Sequence, residues 1–257
     1  GVDGIIGSDL FASTIVSIDS QTKNIIVTSA EKPSTASLRK MLNFTKEGGM
    51  PIINVQIAPV SNITALFDTG SHSLLSLIES DFERIEPEAS MEVVSEGYGE
   101  GSIGVAGQAE KASSYRVHIP LLSVGATKFR NLTTHTDKHP YTLLGVKLLQ
   151  YGKVTIDYPR GRFYFEAFQP DNEINNQCNN FDLTVKDGDL YVSTVWSSTK
   201  GKIEVGDKVI KINGKPAKKY DFCESILNGI PKLKEKKQTK LTIETASGIK
   251  NIIHKKE

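Results

Sequence analysis

Apolar and polar residues alternate with a period of two through much of this chain, which predicts short strands rather than long helices. Such stretches are Pro51 to Ile57, Val154 to Asp157, Phe163 to Phe165, Phe181 to Val185, Leu190 to Val195 and Lys208 to Ile212. Gly, Pro, Asn and Asp separate them, and Asp187-Gly188 and Asn213-Gly214 are turn pairs that suit tight hairpins. Helical spacing is confined to short pieces, chiefly Ile78 to Glu86, which Pro87 ends, and Phe222 to Leu227. The expected fold class is therefore mostly β, with one or two short helices.

The strand pattern repeats. Setting Gly7 on Gly145 gives an offset of 145 − 7 = 138. Val16 then falls on Val154, Ile18 on Ile156, Asp19 on Asp157, Ile25 on Phe163 and Val27 on Phe165, with no gap. Each copy reads as two aliphatic residues and a Gly, a short amphipathic helix, then a β-hairpin. One pattern carried twice at a fixed offset predicts two copies of one structural unit.

Between the copies lies the stretch with the most chemistry. Ala65-Leu66-Phe67 reads as a buried strand that delivers Asp68 to a turn of Thr69, Gly70 and Ser71. A carboxylate placed directly after buried residues is costly unless N–H donors or a second carboxyl partner it. Gly70 permits a close backbone approach, and Thr69 and Ser71 add short hydroxyl donors. His72, next in line, reads as a solvated loop histidine.

Composition removes other classes. The 257 residues carry a net charge of +1, which implies no nucleic-acid or anionic-membrane partner. No apolar run approaches the ~20 residues needed to span a bilayer. No signal-peptide pattern opens the chain, and Gly1-Val2-Asp3-Gly4 reads as a mature or engineered start. Cys178 and Cys223 could pair but are no disulfide framework, and the five histidines lack metal-ligand spacing.

Asp68-Thr69-Gly70-Ser71 resembles the active-site turn of aspartic peptidases. In that family an aliphatic-aliphatic-Gly element packs behind the turn of its own lobe. The resemblance maps Leu143-Leu144-Gly145 onto the support for Asp68, and Ile5-Ile6-Gly7 onto the support of a preceding lobe. It implies an acid-protease-like closed β-barrel lobe over residues 45–168. Residues 1–30 would be the C-terminal remnant of a first lobe, and 31–44 the connection between them. Residues 91–120 read as a long glycine-rich hairpin, the candidate for the family's substrate flap, with Tyr98 and Gly99 at its substrate-facing part. Asp68 precedes Gly145 by 145 − 68 = 77 residues, so a matching Asp for the first copy would precede Gly7 by as many. The implied chemistry is peptide-bond hydrolysis by a water held between two carboxyls, with no metal or cofactor. This chain carries one carboxyl of the pair, so a first lobe or a second subunit is the expected partner.

After a polar linker over 169–180, residues 181–257 read as a second module. Gly206-Asp207-Lys208-Val209-Ile210-Lys211-Ile212-Asn213-Gly214 resembles a PDZ domain of the bacterial strand order, a β-sandwich with one or two short helices. The resemblance implies a peptide groove at Asn179, Asn180 and Phe181, although the family usually has glycine there. By analogy with fused peptidase–PDZ chains, the expected location is the bacterial periplasm or cell surface. The alternative expectation is a catalytically inactive peptidase-like scaffold that binds peptides.

Overall fold

The computed structural model describes residues 6–29, 40–45, 47–57, 61–88, 90–101, 103–104, 107–233 and 236–257. Ile5, most of the 31–44 connection and Ser102 of the glycine-rich hairpin lie outside them. The chain is mostly β, and no helix among the described residues is long and apolar enough to cross a membrane.

In chain order the strands begin with β1 Thr14–Asp19, β2 Asn24–Ser29, β3 Met41–Thr45, β4 Ile52–Ile57, β5 Ser61–Asp68 and β6 Leu75–Ile78. Helix α1, Glu79–Ile85, follows. Then come β7 Glu92–Gly99, β8 Ile103–Gly104, β9 Gly107–Gln108, β10 Ala112–Val124, β11 Thr127–Asp137 and β12 Thr142–Gly145. The rest are β13 Gly152–Asp157, β14 Arg162–Ala167, β15 Asp171–Glu173, β16 Phe181–Lys186, β17 Asp189–Trp196, β18 Lys208–Ile212 and β19 Lys215–Pro216. Helix α2, Phe222–Asn228, precedes β20 Gln238–Thr245 and β21 Gly248–Lys255. These elements form two compact units, one of residues 2–92 and 117–176, the other of residues 93–116 and 177–257 with Gly1.

In the larger unit the repeat becomes geometry. Shifted by 138, the bounds of β1 (14 and 19) become 152 and 157, those of β13. The bounds of β2 (24 and 29) become 162 and 167, those of β14. The 3-10 turn Ser8–Phe11 shifts to 146–149, within the turn Val146–Gln150. The two copies then meet. β1 and β13 pair antiparallel with Val16 opposite Ile156, Ser17 opposite Thr155 and Ile18 opposite Val154. Since 16 + 138 = 154 and 18 + 138 = 156, the pairing exchanges equivalent residues. Ser17 and Thr155 are each other's equivalents, and their hydroxyls are 2.9 Å apart. A local two-fold axis therefore passes between them. β2 flanks β1 and β14 flanks β13, giving a four-stranded array β2-β1-β13-β14 with β3 added beside β14.

The symmetry ends at coverage. Phe163 of β14 is fully buried and packs edge-on against Phe67 at 5.4 Å, and Phe165 lies against Phe129. Their equivalents on β2, Ile25 and Val27, are 68% and 47% exposed. β14 is covered by Phe67 of β5 and Phe129 of β11, from strands in which β5 runs beside β4, β12 lies between β5 and β6, and β6 pairs with β11.

The smaller unit is built on the β16–β17 hairpin, turned by Asp187 (φ 51°) and Gly188 (φ 80°). Asn213 (φ 50°) and Gly214 (φ 79°) turn β18 into β19. Both dipeptides adopt the doubly left-handed turn that matches strand twist. β18, β20 and β21 continue the sheet around a core of Phe181, Leu190, Val192, Val209, Leu241 and Ile243. Asp221 caps α2, its carboxylate accepting from the Glu224 N–H at 2.8 Å. Residues 93–116 join this unit because β7 pairs with β17, with Gly97, Tyr98 and Gly99 opposite Trp196, Val195 and Thr194. The Arg116 guanidinium lies 3.9 Å above the Trp196 ring centre, whose Nε1–H donates to Asp182 at 2.7 Å.

Removing a buried aromatic ring leaves a cavity, whereas trimming an exposed aliphatic does not. Phe163→Ala should therefore lower the unfolding free energy by about 3–5 kcal/mol. Ile25→Ala, its symmetry equivalent, should change it by no more than about 0.5 kcal/mol in urea titrations.

Candidate functional site

β5 alternates inward and outward along Ser61 to Phe67, with Ile63, Ala65 and Phe67 buried. That alternation carries the chain to Asp68, half-buried at the end of the strand. Its Oδ1 accepts the Gly70 N–H at 2.8 Å, and its carbonyl accepts the Ser71 N–H at 3.2 Å. A Cβ on Gly70 would stand 3.1 Å from that carboxylate oxygen, so glycine leaves it room. Thr69 and Gly70 are exposed, and the Ser71 hydroxyl lies 3.1 Å from that of Ser73.

The segment Leu143-Leu144-Gly145 is β12, in parallel register with β5: Leu143 beside Leu66, Leu144 beside Phe67, Gly145 beside Asp68. Gly145 donates its N–H to the Leu74 carbonyl at 3.1 Å, and Val146 donates to the Ser71 carbonyl at 2.8 Å. A Cβ at position 145 would come within 2.2 Å of the Ser73 carbonyl oxygen and 2.6 Å of that of Ser71. The turn bearing Asp68 is thus clamped by backbone against a residue that tolerates no side chain.

A cavity of about 290 Å³ opens beside Asp68 and Thr69. Its walls include Val16, Ile18 and Ile156 of the two-fold sheet, and Ile6, Ser8 and Phe11 of the first copy. Asp68 is the one carboxylate among its described lining residues. Here the two copies differ most. Ile6 is 69% exposed where its equivalent Leu144 (6 + 138) is fully buried, and Leu10 is 66% exposed where Leu148 (10 + 138) is fully buried. Gly7, equivalent to Gly145, faces no clamping carbonyl among the described residues; a Cβ there would come within 2.3 Å of the Asp9 carboxylate.

A histidine pair that the sequence pattern did not single out adjoins this site. His139 Nε2 lies 3.2 Å from Asp137 Oδ2 at the end of β11. The hydrogen bond that His139 donates to Asp137 raises the imidazole pKa against the effect of burial, and the Asp137 and Asp68 charges raise it further. Burial works against the Asp137 charge, but the His139 hydrogen bond and charge outweigh it and hold that carboxyl below its ordinary range. Two histidine–aspartate positions separated by one residue carry no recognisable motif; the pairing follows only from how the strand ends.

The remaining expected residues lie in the smaller unit. Tyr98 is 52% exposed on β7, and Gly99 packs so closely on β17 that a Cβ would come within 2.6 Å of the Ser193 carbonyl. Tyr98, Val195, Ile203 and Val205 line a cavity of about 530 Å³. At the expected peptide groove, the Cys178 and Asn180 N–H groups donate to the Glu257 and Lys255 carbonyls. The Asn180 side chain, buried, bonds the backbone of Ile253 and Lys255, and Phe181 is buried edge-on to His254. Asn179 reaches Asp182 at 3.4 Å. Cys178 and Cys223 form no disulfide. No group of metal-ligating side chains occurs among the described residues.

Compared with known proteins, the sequence matches no family model and no curated sequence.

Two outcomes follow from this geometry. Gly145→Ala should destabilise the protein by about 3 kcal/mol through backbone overlap. Gly7→Ala should change stability by less than about 0.5 kcal/mol, because the Asp9 side chain can turn aside. For the His139–Asp137 pair the signs are fixed by the shifts. The raised imidazole stabilises below its ordinary value of 6.5 and loses that contribution as pH rises through its folded pKa. The lowered carboxyl stabilises above its ordinary 3.8 and loses that contribution as pH falls. His139→Gln should therefore cost about 1 kcal/mol at pH ~5.5 and little at pH ~9, measured by urea unfolding at both values.

Proposed function

We propose that the larger unit is an aspartic-peptidase-like lobe of the closed-barrel kind and that Asp68 is one carboxyl of a catalytic pair. The observation that carries the reading is the turn itself. Asp68 sits on a Gly-permitted turn, clamped by Gly145, at the wall of a cavity shared by two symmetry-related copies of one unit. Two carboxyls held close share one proton, because both cannot ionise together. One then takes a proton from water while the other donates to the substrate carbonyl, and the peptide bond breaks without a covalent intermediate. Thr69 would tie the turn across the two-fold, and Ser71 would orient the carboxylate. The second carboxyl comes from a first lobe or another subunit.

On this proposal the smaller unit is a PDZ-like sandwich that binds peptide segments. With Cys178 and Asn180 N–H groups bonded to carbonyls of the C-terminal residues, peptide capture there depends on strand addition rather than on a terminal carboxylate. Tyr98 and Gly99 belong to a hairpin that pairs with β17, which favours a role in that unit's own binding surface. Periplasmic or surface location remains part of the proposal by analogy.

A second reading has one observation in its favour: the cavity's described lining holds a single carboxylate. On that reading the protein is an inactive peptidase-like scaffold that binds peptides. Asp68→Asn separates the two. It keeps the Gly70 hydrogen bond, so the melting temperature should hold. Hydrolysis of a denatured protein substrate by the intact, completed protein should fall at least ~100-fold. Hydrolysis that persists in the variant rejects the peptidase assignment, and an intact protein with no hydrolysis at any acidic pH favours the scaffold.

A further inference from the structure

The charge balance that argues against an anionic partner for the whole chain conceals a separation within it. Residues 232–256 hold eight lysines against two glutamates, 8 − 2 = +6, so the rest of the chain sums to 1 − 6 = −5. Lys234 and Glu235, which lie outside the described residues, cancel in that count. Strand pairing gathers much of the surplus on one side of a sheet, because residues directly opposite on neighbouring strands share a face. Across β18, β20 and β21 the outer face carries the rows Lys208–Glu244–Ile249 and Lys211–Thr242–Asn251, then Lys240 opposite Ile253 and Gln238 opposite Lys255. The inner face carries Leu241 and Ile243 and belongs to the core. Ile249 is 67% exposed and Ile253 44%, with Lys211 and Lys240 exposed beside them. Lys208 is paired with Asp189 and Lys255 with Glu257, but Lys211 and Lys240 form no ion pair with a described residue. Residues 234 and 235 precede the Gln238 end of β20, whereas Ile249 faces Glu244, 244 − 238 = 6 residues or about 20 Å further along the strand.

We propose that this outer face of β18, β20 and β21 docks on an anionic lipid bilayer, its lysines among the headgroup phosphates and its two isoleucines at the boundary with the acyl chains. The residue types choose the occupant. Every cation after Arg162 other than His254 is a lysine. Lysine is depleted from protein–protein interfaces, where arginine and aromatic side chains concentrate. Nucleic-acid surfaces read bases through the arginine fork and stack them on aromatic rings, and this face has neither. A lysine is instead a hydrated point charge on a flexible stem, which suits a diffuse anionic plane and lets the stem lie along apolar surface. The isoleucines supply the second half of an interfacial anchor, since stable attachment needs apolar burial as well as charge. Ile249 and Ile253 are 253 − 249 = 4 residues apart on one strand and one face, about 13 Å, so both meet a flat surface together. The proposal uses neither Asp68 nor the expected peptide groove, and stands or falls apart from the peptidase reading.

The test is flotation of the purified full chain with vesicles of phosphatidylcholine, alone or with about 30 mol% phosphatidylglycerol, at about 0.05 M and about 0.5 M salt. At low salt the chain should bind the anionic vesicles at least ~10-fold more tightly than the neutral ones, and high salt should remove most of the difference. Lys211→Glu with Lys240→Glu should abolish the preference. Lys128→Glu with Lys147→Glu, the same charge change on exposed lysines of the larger unit, should leave it intact. An unchanged melting temperature shows that each variant is folded. Ile253→Trp should be quenched by phosphatidylglycerol brominated on its acyl chains, and Ile25→Trp, at an exposed position of the larger unit, should not. Equal binding to neutral and anionic vesicles, binding that survives the 211 and 240 reversals, or binding lost equally in the 128 and 147 variant overturns the proposal. So does quenching at position 25 but not at 253. Absence of vesicle binding at low salt overturns it too, including the case in which an oligonucleotide or an acidic protein binds the face instead.

Discussion

The antiparallel pairing of β1 with β13 is the interaction on which the rest depends. It sets Ser17 against Thr155, residues 138 apart and equivalent by the repeat, and so places a two-fold axis in the middle of one sheet. Everything on one side of that axis has a full complement of packing. Phe163 and Phe165 are buried, Leu144 and Leu148 are buried, and Gly145 is held between two carbonyls. On the other side β1 buries Ile15 and Val16, but Ile25 and Val27 of β2, with Ile6 and Leu10, are exposed. In β2, backbone pairing and side-chain burial part company.

The position of Asp68 follows from the same constraint. β12 can enter between β5 and β6 only because Gly145 lacks a side chain, and its register puts Gly145 beside Asp68. The carboxylate is then held by the Gly70 N–H at the wall of a cavity whose other walls come from both copies. A group so placed faces the axis from one side. The mechanism proposed for it is a symmetric one, in which the second carboxyl arrives by the operation that relates β13 to β1.

Much of this was legible in the sequence, for identifiable reasons. A hairpin in which apolar residues alternate must bury one face, so Val16, Ile18, Val154 and Ile156 announced both the strands and their equivalence. Asp187-Gly188 and Asn213-Gly214 announced turns because few other pairs accept two left-handed residues. The short helices were legible too, from Pro87 beyond one and from the helical spacing over Phe222 to Leu227 in the other. Three-dimensional proximity was not legible. Arg116, Asp182 and the only Trp, Trp196, come together across long sequence separations and tie residues 93–116 to the smaller unit. The glycine-rich hairpin looked like part of the 45–168 segment because sequence order is silent on which edge a strand will choose. His139 and Asp137 pair through a strand end that has no motif. The unequal burial of the two copies is invisible to any reading of composition, since Ile25 and Phe163 are both large apolar residues at equivalent strand positions.

The most direct test of the account is native-state hydrogen exchange of the purified chain, comparing amides 24–29 of β2 with amides 162–167 of β14. Strands equivalent by the repeat, one covered and paired on both sides by β13 and β3, the other exposed and paired with β1 alone, should open unequally. β14 should exchange only through global unfolding, and β2 at least ~100-fold faster through local opening. Equal protection of the two strands would contradict the account, because it would mean that the first copy is already complete as it stands.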